Sequence, residues 1–325
     1  MSATPKSNRS RTLLTIYGDS FVGPFTLLKS KVNVCKYKGA TAKGLNNEDS
    51  KSQTGTAMLE HLARTRPETV LLIFGHVDIH VTYLYKVCDS EMHQTEPPDP
   101  DTWVKTVFES YANYLREKIL PRVAVLDHAS TCSKGFGLAP ASADSYPFIS
   151  TLYLSSVTMP VVPDSHLQRC NDKYNMPFHQ VWRDAGVTLA QSRSPTDIAT
   201  RRKMTADFNH MLEEFCTEHS QWGGVRYLDI NPHITSPETG DVLPKYLVLN
   251  PSTIHVVWET TIGHLVELLS DTGLTVRDIT VDLESSFETY EHRKLNQMMR
   301  FGVAPRTQSE TGMGARNHRR WPLST

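Results

Sequence analysis

Short apolar runs, each cut off by a glycine or a polar turn and followed by a stretch of helical periodicity, constrain this chain more than any other feature. "TLLTIY" (12–17) stops at Gly18-Asp19-Ser20, and "VNVCKY" (32–37) stops at "KGATAKG". "TVLLIFG" (69–75) is apolar throughout, as a central strand covered on both faces should be. "RVAVLD" (122–127) and "VRYLDI" (225–230) repeat the pattern. Between the runs lie "TGTAMLEHLARTR" (54–66), "DTWVKTVFESYANYLREKIL" (101–120), "PTDIATRRKMTADFNHMLEEFCTEH" (195–219) and "HVVWETTIGHLVELLS" (255–270), all with helical spacing. In the third of these, Met204, Phe208, Met211, Leu212 and Phe215 share one face. Pro24 is suited to opening a further helix, "PFTLLKSK". Strands separated by helices predict an α/β fold: a three-layer α/β/α sandwich around a mostly parallel sheet.

The rhythm fails between residues 128 and 195, which are rich in Pro, Ser, Asp and His and read as a long irregular insertion. "TVRDITVDL" (275–283) reads as one more strand. The expected organisation is a disordered leader over 1–11, one domain over 12–285 carrying the insertion, and a partly disordered extension over 286–325. The 325 residues are 39% hydrophobic and 21% charged, with a formal net charge of −1. That balance argues against a nucleic-acid binder, which would carry a basic excess. No apolar run approaches the length of a membrane span, and the polar N-terminus lacks the apolar core of a secretory signal. Five scattered cysteines form no CxxC pair, so a reducing, cytoplasmic setting is expected and neither a disulfide framework nor a zinc knuckle.

In parallel sheets the ligand site lies at the carboxyl ends of the strands. Three stretches fall there: Gly18-Asp19-Ser20 after the first strand, Gly39 after the second, and Gly75 to His80 after the third. A serine hydroxyl becomes a nucleophile only when a base takes its proton and donors hold the oxyanion that forms. His255, at the start of the last helical stretch, is the candidate base.

This order resembles the SGNH, or GDSL-type, hydrolase superfamily over roughly residues 12 to 270, with Gly18-Asp19-Ser20 as its first block. "LLIFGHVDIH" is similar to the "FGEIDCR" block of one branch, and "RRKMTADFNHMLEEFC", "VRYLDI" and "NPSTIH" follow in that branch's order. The resemblance implies an SGNH/flavodoxin-like fold and a serine hydrolase acting on an O-acyl or O-acetyl ester of a small molecule or glycan, with no metal or organic cofactor. Ser20 would be the nucleophile, the Ser20 and Gly39 N–H groups the oxyanion donors, and His255 the base.

Two departures stand out. The usual oxyanion asparagine is replaced by Val77, leaving His76 or His80 as substitute donors, and the usual orienting aspartate is replaced by Ser252. Asp229, Asp241 or a backbone carbonyl could orient His255 instead. Asp19 is expected to stabilise its turn, and Asp78 to accept backbone N–H groups at the strand end or to act in the site. Arg201 and Arg202 are expected to be solvated or to bind an anionic substrate group. Two alternatives follow from these residues. One is a catalytically degenerate binding module of the same fold. The other is a metallohydrolase in which His76, Asp78 and His80, projecting to one side of an extended strand, hold an ion.

Overall fold

The computed structural model describes residues 13–28, 31–50, 52–124, 147–176, 178–220 and 224–274. Five parallel strands, β1 (Leu14–Gly18), β2 (Val32–Lys36), β3 (Thr69–Ile73), β4 (Thr151–Ser155) and β5 (Val225–Leu228), form one sheet in the order β2-β1-β3-β4-β5. The helices are α1 (Thr54–Thr65), α2 (Tyr83–Met92), α3 (Pro100–Tyr114), α4 (Leu167–Tyr174), α5 (Phe178–Asp184), α6 (Ile198–His219), α7 (Asn231–Ile234) and α8 (Trp258–Asp271). The expected α/β class and parallel sheet are therefore present, in the flavodoxin-like strand order.

Alternation along the strands assigns the two faces. Ile16, Leu71, Tyr153 and Arg226 are register partners, and the Tyr153 hydroxyl lies 2.7 Å from Thr272 Oγ1 at the end of α8. This row faces α8. The next row contains Cys35, Tyr17, Leu72 and Leu154, and the Tyr17 hydroxyl lies 2.8 Å from His61 Nδ1 in α1. Phe74, just past β3, meets Tyr111 of α3 at a centroid distance of 6.3 Å, and Phe108 of α3 meets Phe208 of α6 at 6.0 Å. Helices α1, α3 and α6 thus cover the face opposite α8. β1, β3 and β4 are almost wholly buried, whereas edge strand β2 is half-buried, which explains its alternating sequence.

Several expectations are corrected. The fourth strand is not "RVAVLD": Val123 makes an isolated bridge to Ile149, and 125–127 lie outside the described residues. It is "TLYLS" (151–155), inside the stretch read as an irregular insertion, which also supplies α4 and α5. Polar, proline-rich flanks masked a five-residue β-forming run that is buried between β3 and β5. Pro24 does not open a helix, because a 3-10 turn begins four residues earlier, Ser20–Leu27, and contains it. The predicted strand over 275–283 lies outside the described residues, as do the leader over 1–11 and the extension over 286–325. Among the described residues no helix is long and apolar enough to cross a membrane, and no two cysteines are paired.

Candidate active site

The chain runs outward from β1 to β2 and returns across β1 to β3, so the strand ends of β1 and β3 flank the point where the winding reverses. Asp19 stands there. Its N–H donates to Ile73 O at 3.1 Å, joining the ends of β1 and β3. Its Oδ1 accepts the Phe21 N–H at 2.8 Å, capping the turn Ser20–Leu27. Asp19 thus has the turn-stabilising place expected of it. The carboxyl is fully buried, and desolvation pushes its pKa up to about 8. Gly18 is required by close approach: a Cβ there would lie 2.3 Å from Ile73 O. Ser20, half-buried, is the first residue of the turn. Neither its N–H nor that of Gly39 hydrogen-bonds among the described residues. Gly39 occupies an exposed turn at φ +76°.

The segment after β3 is not extended. Past Gly75, at φ +106°, the chain enters a wide helical turn, Asp78–Thr82, which merges into α2. Period-two projection of His76, Asp78 and His80 is therefore lost, and each side chain has its own partners. Asp78 Oδ2 accepts the Ala42 N–H at 2.6 Å, and Oδ1 accepts the Lys43 N–H at 3.2 Å. This carboxylate ties the loop after β2 to the end of β3. Burial outweighs those bonds and pushes its pKa up to about 7.

His76 and His80 grip one residue, Thr158, through the peptide groups on its two sides. The Thr158 N–H donates to His76 Nε2 at 3.1 Å, so the proton of neutral His76 is on Nδ1. His80 Nε2 donates to Thr158 O at 2.9 Å, which gives His80 the opposite tautomer. Burial lowers both pKa values, His76 well below the usual range and His80 to about 4. His76 Nδ1 is 3.9 Å from Asp19 Oδ2, too far for a hydrogen bond. Burial drives both partners towards their neutral forms, so this is not an ion pair. With Asp78 turned to the loop after β2 and both histidines turned to Thr158, the three residues do not make the ion-binding set that an extended strand would have made. No group of three such ligands occurs elsewhere among the described residues.

The loop after β4 is held from two further sides. Asn209 of α6 accepts the Val157 N–H at 2.7 Å through Oδ1 and donates to Val157 O at 2.8 Å through Nδ2. Asn231 accepts the Met159 N–H at 2.9 Å and donates to Val157 O at 3.0 Å. Sequence reasoning gave these asparagines no role, although an asparagine beside Phe208 on the apolar side of α6 was a usable signal. Arg201 is likewise corrected from a solvated residue to a buried one. It donates to Thr196 O, Val162 O and Asp164 Oδ1 at 2.9, 2.8 and 2.6 Å. Arg202 pairs with Asp241.

His255 lies in the loop before α8, three residues ahead of Trp258 rather than in the helix. Its ring centroid is 4.5 Å from that of Phe21, which also stacks on His76 at 3.8 Å. The base candidate is thereby brought to the residue that follows Ser20. No hydrogen bond joins Ser20 to His255 among the described residues, and His255 Nδ1 is buried without a partner. Ser252 Oγ is buried without one too. Asp229 is engaged by the Asn231 N–H and side chain at 2.9 and 2.8 Å, and Asp241 by Arg202. Desolvation, then the positive charges of Lys36 and Lys173, lower the His255 pKa to about 4. Behind Phe21 a cavity of about 30 Å³ is walled by Phe25, Ile73, Ile230, Trp258 and Leu265, with His76, Thr158 and His255 at its polar side.

No family model matches this chain, and no curated protein matches it. Solved structures do. One is a putative acylhydrolase from Bacteroides fragilis, at 11% identity over 84% of this chain and 91% of that chain, with a TM-score of 0.39. Another is a GDSL-like lipase from Bacteroides thetaiotaomicron, at 11% identity, the same coverage and a TM-score of 0.37. At such values the likeness carries no argument about activity, and the chemistry must be reasoned from the residues themselves.

Proposed function

We propose that this chain is an SGNH-type serine hydrolase that cleaves a carboxylic ester at the β1/β3 end of its sheet. The observation that carries this reading is the meeting there of two segments far apart in sequence: Ser20 opens the turn after β1, and the His255 ring lies 4.5 Å from the ring of the residue after Ser20, Phe21. Ser20 Oγ attacks the ester carbonyl and passes its proton to His255, which gives it to the departing alcohol. Water then cleaves the acyl-serine by the same route in reverse. The backbone N–H groups of Ser20 and Gly39 are the proposed oxyanion donors. His76 is less suited to that role, because its Nε2 is an occupied acceptor and its Nδ1 faces Asp19. The proposed setting is cytoplasmic and the proposed chemistry needs no cofactor.

A fluorophosphonate probe tests this. Wild-type protein should be labelled and should hydrolyse short acyl esters, and Ser20→Ala should do neither while unfolding cooperatively. Labelling undiminished in the alanine variant would overturn the assignment. A second reading, a binding module of this fold without turnover, is favoured by His255 Nδ1 having no orienting partner. A folded wild type that neither labels nor turns over would establish it.

A further inference from the structure

Two lysines that make no ion pair among the described residues lie over rings beside the candidate base, and the carboxyl that feels the charge of Lys36 is the buried Asp19, which burial drives towards its neutral form. Lys36 ends β2 and is the register partner of Gly18, two residues before Ser20. Its ammonium lies over the Trp258 ring, 5.5 Å from the centroid. Lys173, in α4, lies over the Tyr174 ring at 4.9 Å. Both rings flank the candidate base, with centroids 6.5 Å (Trp258) and 6.4 Å (Tyr174) from that of His255. Tyr174 is fixed in turn: its hydroxyl is 3.0 Å from Thr253 Oγ1 and accepts the Ile254 N–H at 3.4 Å. Both lysines are exposed, and neither has an ion-pair partner among the described residues. Each is drawn to the face of an aromatic ring instead.

We propose that Lys36 and Lys173 form an anion-binding rim, so that the ester cleaved at Ser20 carries a negatively charged group, such as a carboxylate, close to the scissile bond. This rests on the Ser20/His255 reading and adds the substrate class to it. An unpaired lysine beside an apolar cavity attracts an anion without first breaking an ion pair, and the ring beneath it limits the freedom lost on binding. A bound anion would also act on the base. Lys36 and Lys173 both disfavour the protonated form of His255, and an anion bound at either one offsets that effect. The negative charge that Ser252 does not supply would then arrive with the substrate.

Two readouts test the proposal independently. The first is the ratio of kcat/KM for the mono-p-nitrophenyl ester of succinic acid to that for p-nitrophenyl acetate. It should favour the succinate ester by about tenfold or more in wild type, fall as salt is added, and drop towards unity in Lys36→Gln/Lys173→Gln. A ratio near unity in wild type, or one unchanged by the double substitution, overturns the proposal. The second readout needs no turnover: His255 ring resonances followed by NMR during titration with succinate. A saturable rise in the His255 pKa in wild type, lost in the double variant, supports the rim, and no saturable shift overturns it. If neither ester is cleaved, the Ser20/His255 reading has failed and the titration alone decides whether the anion site exists.

Discussion

Replacing Asn209 by leucine isolates the contact on which the polar side of the site depends. Leucine keeps the branching and heavy-atom count of asparagine but can neither accept from Val157 N–H nor donate to Val157 O, contacts of 2.7 and 2.8 Å in the wild type. The carbonyl keeps its bond from Asn231 Nδ2 at 3.0 Å, so only the N–H is stranded. An orphaned buried donor costs about 1–3 kcal/mol, and the lost bond to the carbonyl adds about 0.5–1.5 kcal/mol. The expected loss is therefore about 1.5–4.5 kcal/mol, a large share of the roughly 5–15 kcal/mol that holds an ordinary domain together. Urea unfolding followed by far-UV circular dichroism would read this as a lower midpoint with an unchanged slope. The ring resonances of His76 and His80 should also move, because both rings hold the adjacent residue, Thr158. A loss below about 0.5 kcal/mol, within the range of a neutral surface change, would refute the view that Asn209 fixes this loop.

Asp78→Asn should reveal a pH term. The wild-type carboxyl is raised to about 7 on folding, so its contribution is greatest below about pH 4 and is lost as pH rises towards 7. The stability of wild type minus variant should accordingly fall over that window, whereas a pH-independent difference would contradict the burial argument. Ser252→Asp should raise hydrolysis of a neutral ester by about an order of magnitude, equivalent to about 1.4 kcal/mol, because a carboxylate would favour the imidazolium form of His255. A fall in rate with folding intact would mean that a carboxylate at position 252 does not reach the His255 ring. Gly23→Ala should destabilise the chain by about 1–3 kcal/mol and weaken esterase activity together, since the added Cβ would lie 2.3 Å from the Trp258 ring. Thermal melts and rate assays on the same sample would check both effects.

The sheet was legible wherever burial left a uniform apolar run, as in β1 and β3, and wherever helices carried a regular stripe, as in α6. It was not legible at β4, where composition over a long window hid five β-forming residues. At the third block, period-two reasoning assumed an extended backbone past Gly75, but the chain turns helical at once and sends Asp78 to the loop after β2 and both histidines to Thr158. No residue count along the sequence distinguishes those two courses. The place of Asp19 and Ser20 in the turn after β1 was readable because a Gly-Asp-Ser sequence after an apolar run leaves few alternatives. The place of His255 ahead of the last described helix was legible from the helical stretch that follows it. The place of Phe21 between His76 and His255 depends on segments far apart in sequence and could not be read locally.

The contact between Gly23 and Trp258 also bears on when the site comes into being. Its two sides belong to the first turn and the last helix of the described chain, and a ring seated against a bare α-carbon has no looser arrangement that preserves the contact. Such a long closure is among the slower events available to a folding chain. During synthesis the sheet strands emerge one after another, while the pocket that would hold a substrate waits for the segment made after all of them. Any turnover by this protein would then report that its chain has been translated and folded through α8, and a nascent fragment ending before that helix would carry Ser20 and His255 but not the Trp258 ring that seats against Gly23.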